Sequence, residues 1–95
     1  MVLHLVLFRL KDEAKVHLDE AVSRLNSMVG RVECIRDLKA GKDFLHSGRS
    51  YDLAVAVTFD DRDALAVYDV HPDHVPVKEF LRPLLETSVS VDLEF

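Results

Sequence analysis

The segment Val2–Leu10, VLHLVLFRL, is apolar on both of its alternating faces and stops abruptly at Lys11, Asp12 and Glu13. A membrane helix needs roughly 18 consecutive apolar residues, so this run is too short to span. A short apolar run bounded by charge reads instead as a strand buried on both sides. Side chains alternate along a strand, so Val2, His4, Val6, Phe8 and Leu10 share one face and Leu3, Leu5 and Leu7 the other. Any fold built on it must cover both faces of its sheet.

The remaining segments supply one cover. From Asp12 to Val29, Leu18, Ala21, Val22, Leu25, Met28 and Val29 recur at three and four. That predicts an amphipathic helix, with Asp12 as N-cap and Gly30 just past its end. Val32–Ala40 reads as a half-polar strand, and 41–50, with Gly41, Ser47 and Gly48, as a loop. Tyr51–Phe59 alternates well and predicts a second well-buried strand. Asp60, with Asp63 three residues on, resembles a capping box and starts a short helix, ended by His71-Pro72. Asp73 is placed to cap a third helix carrying Val77, Phe80, Leu81, Leu84 and Leu85, with Pro76 in its first turn. Thr87–Phe95 alternates again.

The order is therefore β-α-β-β-α-α-β. It predicts an α+β, ferredoxin-like fold: an antiparallel four-stranded sheet with helices on one face. The 95 residues have room for a single domain, 1–95. The face of Leu3, Leu5 and Leu7 is left without a cover, and the same sheet in a second copy is the natural one, which predicts a homodimer joined through the sheet face.

Charge excludes some functions. Twelve Lys and Arg against 17 Asp and Glu give a net charge of −5, and the bases are scattered among acids, so no nucleic-acid face is expected. The order resembles an RNA-recognition module, but Tyr51–Phe59 lacks glycine and has Leu53 and Val55 where stacking rings are required. The single cysteine, Cys34, cannot form an internal disulfide, which with the absence of a leader or a membrane span points to the cytoplasm.

The chemistry-bearing stretch is Tyr68–Pro83, YDVHPDHVPVKEFLRP. Tyr68, His71 and His74 are spaced by threes, and His4 is a polar insertion in an apolar strand face. A chain reversal at Pro72 can bring Tyr68 and His74 into one cleft opposite His4. Imidazole is a general base near neutral pH, and a phenol can donate to a developing enolate oxygen. The alternative is structural: His71 in its turn, His74 at a helix start, His4 and Tyr68 as satisfied core. His71-x-x-His74 is not a zinc-binding spacing on a helix, and no metal or cofactor is expected.

VLHLVLFRLKDE, SYDLAVAVTF and, most specifically, YDVHPDHVPVKEFLRPLLE resemble the stress-responsive A/B barrel (Dabb) family over nearly the whole chain. The resemblance implies a dimeric α+β barrel. It also implies two candidate roles. One is binding of a small apolar or aromatic molecule between sheet and helices, with cofactor-free polyketide-cyclase or lyase-like chemistry; a Tyr and a His acting together in a plant branch match Tyr68 and His74, and His4 and His71 match polar substrate-binding positions. The other is a non-enzymatic stress-response or assembly role, in which the histidines are structural. Leu53 stands where those cyclases carry a pocket histidine.

Overall fold

In the computed structural model, which describes residues 1–95, Val2–Leu10 (β1) is an inner strand with a neighbour on each edge. Leu53–Phe59 (β3) pairs with it antiparallel on one side and Leu85–Glu94 (β4) on the other. Asp37–Lys42 (β2) pairs with the outer edge of β3, giving the order β2-β3-β1-β4. The helices Leu18–Asn26 (α1), Arg62–Asp69 (α2) and Val75–Leu81 (α3) lie over one face. This is the ferredoxin-like α+β arrangement expected from the order of elements.

The register explains the core. Val2, His4, Val6 and Phe8 stand opposite Phe59, Val57, Val55 and Leu53, and this row faces the helices. Of it, Val57 and Phe59 are completely enclosed. Ala21, Leu25, Met28 and Val32 close the core from the α1 side, and Tyr68, Val77 and Leu81 from α2 and α3. His74 is the one polar residue in the buried set.

Several boundaries differ from the sequence expectation, each for a local reason. The first helix opens as a 3-10 turn, Asp12–His17, with Lys11 rather than Asp12 at its cap position. Val29 falls outside the stripe and is exposed, because α1 has already ended at Asn26 and Val29 sits in the turn that follows, before Gly30 at φ +83°. The strand expected over Val32–Ala40 is shifted to Asp37–Lys42: the Val32 N–H donates to Met28 and the Ile35 N–H to Val32, so turns take the backbone bonds a ladder would need. Asp61, not Asp60, caps α2 by accepting from the Ala64 N–H at 2.9 Å. His74, not Asp73, occupies the cap position of α3. Pro83 ends that helix in a 3-10 turn, Arg82–Leu84, and β4 starts two residues earlier than expected. Phe80 is only partly buried and lies under the Arg24 guanidinium, 4.1 Å from its ring centre, while Val77 and Leu81 anchor the helix.

The second sheet face carries no helix. Leu3, Leu5 and Leu7 stand there beside Leu93, Val91 and Val89, with Thr58, Ala56 and Ala54 on the other flank. The β4 members are 40–49% exposed. No helix is long and apolar enough to cross a membrane.

Candidate functional site

Between the sheet and α3 the helix layer leaves a cavity of about 310 Å³. Val6, Phe8, Leu25, Val55, Val77, Leu81 and Leu85 give it apolar walls; His4, Tyr68 and His74 are its polar end. These three come from β1, the last turn of α2 and the cap of α3. The reversal at His71-Pro72 that separates Tyr68 from His74 also brings them face to face.

Tyr68 and His74 stack, with ring centres 3.8 Å apart and 19° between planes. His74 Nδ1–H donates to the Tyr68 carbonyl at 2.8 Å, which leaves Nε2 as the bare, basic nitrogen. Burial pushes the His74 imidazole below its ordinary pKa, the Tyr68 carbonyl pulling the other way. The ring is therefore neutral at neutral pH. Burial pushes the Tyr68 phenol in the opposite direction, well above its ordinary range, so its hydroxyl stays a protonated donor. Tyr68 Oη and His74 Nε2 have no hydrogen-bond partner in the protein, yet no side-chain N or O atom is both sealed and unpaired. Both polar atoms therefore open on the cavity that their residues line.

His4 meets Tyr68 edge-on, with ring centres 5.9 Å apart. Its Nδ1–H donates to the Asp92 carboxylate, leaving its own Nε2 free. Asp92 was not singled out from the sequence. It stands directly across from His4 in the β1/β4 register, so its signal is the pairing rather than any local motif.

His71 is not brought into this group. Its Nδ1 accepts from the Asp73 N–H at 3.0 Å, which puts the ring proton on Nε2, 3.3 Å from a Glu33 carboxylate oxygen. It is absent from the cavity wall, and His-Pro turn geometry accounts for its position. Leu53 is buried in the core and does not line the cavity. No three His, Cys, Asp or Glu side chains are grouped so as to hold a metal ion.

Comparison with known proteins agrees with this architecture. The chain is 26% identical to a stress-response A/B barrel domain-containing protein of Arabidopsis thaliana, over 94% of this chain and 81% of that one. It superposes with a TM-score of 0.88 on a dimeric, ferredoxin-like protein of unknown function from Bacteroides fragilis, at 28% identity, covering 99% of this chain and 95% of that one. The hydroxynitrile lyase of Passiflora edulis shares the fold at a TM-score of 0.83, with 16% identity over 97% and 90% of the two chains. The stress-responsive A/B barrel domain model matches residues 2–95, and the chain belongs to that family.

Proposed function

We propose that this domain binds a small, largely apolar carbonyl compound in the cavity and moves a proton on it without a cofactor, in the manner of a lyase or cyclase. One observation carries the reading: a neutral imidazole nitrogen and a phenolic hydroxyl, stacked and unpaired, face the same apolar cavity. His74 Nε2 takes a proton from the carbon next to the carbonyl. The C–H electron pair becomes the enolate C=C bond, and the carbonyl π pair moves onto oxygen. The Tyr68 hydroxyl donates to that oxygen, and its high pKa keeps the proton on the phenol. The Tyr68 carbonyl, already bonded to His74 Nδ1–H, holds the ring and stabilises the imidazolium that forms. Return of the proton to carbon completes the cycle, as does attack of the enolate carbon on a second carbonyl whose π pair moves onto oxygen, the alkoxide then taking the proton back from the His74 imidazolium.

A structural role also has specific support, since the same His74–Tyr68 bond ties the end of α2 to the start of α3. Hydrogen–deuterium exchange separates the two. A panel of aryl and alkyl ketones is incubated in D2O with the protein, and α-proton loss is followed by NMR. Catalysed exchange that falls by about 100-fold or more in His74→Ala, with Tyr68→Phe also impaired, is the expected result. Exchange no faster with wild type than with His74→Ala across the panel defeats the enzymatic reading.

A further inference from the structure

His74, Val77, Lys78, Leu81 and Arg82 all line the cavity and follow one another at helical spacing, so α3 is a ruler along its length. From His74 to Arg82 is eight residues, about 12 Å at the helical rise. The opposite wall runs from His4 to Phe8, about 13 Å of strand. The reactive group thus sits at one end, and apolar side chains fill the middle.

The far end holds a cation with nothing to neutralise it. Lys78 is spoken for, its ammonium donating to the Asp69 carbonyl at 2.7 Å and facing the Asp69 carboxylate at 3.3 Å. Asp69, the acid on the cavity wall, is matched in turn by Lys78. Six other Lys and Arg side chains are also engaged with carboxylates, among them Arg36 with Asp60 and Arg62 with Glu94. Arg82 makes no ion pair, hydrogen bond or ring contact, though Glu79 and Glu86 are near it in sequence. Lys11, Arg31 and Arg49 are likewise without a carboxylate partner, but of these four cations Arg82 alone lines this cavity.

We infer that the cavity takes an amphipathic carboxylate: Arg82 binds the anionic head in bidentate fashion, the chain lies along Val77 and Leu81, and the opposite end reaches Tyr68 and His74. The inference rests on the ligand-binding reading above and adds the substrate class, a molecule with an acid about 12 Å from its reacting carbonyl. A guanidinium fork matches a carboxylate in shape as well as charge, and Arg82 acts here as a specificity-determining residue.

Decanoate and decan-1-ol are probes of equal chain length that differ in the head group. Isothermal titration at pH 8 and low salt is expected to show decanoate bound at least about tenfold more tightly than the alcohol. Arg82→Gln should remove that preference by weakening decanoate alone, and Arg82→Lys should restore part of it. Arg82 is exposed, so its replacement leaves the fold intact. Val77→Trp, which fills the cavity, should weaken both probes. Equal affinity of wild type for the two heads, or a preference that survives Arg82→Gln, overturns the inference. So does decanoate binding that is indifferent to Val77→Trp, because it places the probe elsewhere. These outcomes are independent of the exchange assay: a head-group preference with no ketone turnover keeps the carboxylate site and removes the chemistry, and the reverse removes only the site.

Discussion

The two faces of the sheet are built from the same strands yet obey different rules. On the helix side, Phe8, Leu53, Val55, Val57 and Phe59 are at most 8% exposed, and the one buried polar residue, His74, lines the cavity. On the other side, Leu3, Leu5, Leu7, Val89, Val91 and Leu93 form contiguous apolar rows with nothing over them. β4 reverses its polarity between the two. It turns Ser88, Ser90 and Asp92 toward the helix side, where Asp92 meets His4, and valine and leucine toward the open side. Polar residues on a covered face point to chemistry, whereas apolar residues on an uncovered face point to another chain.

The most drastic way to break this comparison is to make the open face polar. Leu5 is in the middle of the apolar rows, flanked by Val91 and Ala56. We predict a homodimer through this face at micromolar concentration. Leu5→Glu should then give monomer or aggregate by sedimentation, since a carboxylate at a dry interface has no partner. A wild-type monomer would show that the open face is not a self-interface.

The covered face is tested by the next largest effect. Phe59 is fully enclosed, so Phe59→Ala should destabilise by about 3–5 kcal/mol. Phe80, under the Arg24 guanidinium at the helix surface, should lose about 1–2 kcal/mol in the same substitution. Urea midpoints at a fixed protomer concentration measure both. Equal losses would mean that Phe80, and not Val77 or Leu81, is what seats α3.

These two faces were legible in the sequence to different degrees. The two-sided β1 run and the alternation of Tyr51–Phe59 report directly on burial, and from them came the sheet and its uncovered side. The Val32–Ala40 segment misled because its apolar residues are held by turns: Val32 is buried and Ile35 partly buried where the backbone bonds within 28–35 rather than into a ladder. Asp73 and Asp60 looked like caps by residue type; the choice between adjacent residues is made by backbone angles that sequence does not display. In the site, spacing placed Tyr68 and His74 together, because one reversal sufficed. It could not place Asp92, whose partnership with His4 spans 88 residues and depends on strand register. It also grouped His71 with the others on spacing alone, although local bonds to Asp73 and Glu33 turn that ring away.

The smallest expected effect concerns the one polar residue buried on the covered face. Burial lowers the pKa of His74 in the folded state below the ordinary value of 6.5. Between those two values the unfolded chain binds a proton that the folded chain refuses, so stability rises with pH across the window. Stability from this group is complete above pH 6.5 and falls as the pH drops toward the lowered folded value. One proton limits the slope to about 1.4 kcal/mol per pH unit. Urea midpoints for wild type and His74→Gln, taken between pH 7.5 and 5, isolate it, because the other titrating groups are common to both proteins. Wild type should lose more stability than His74→Gln on acidification. Parallel curves would mean that water reaches the ring freely. A wild type that lost less than the variant would mean that the imidazolium is favoured in the fold, and His74 could not then serve as the neutral base that faces the cavity.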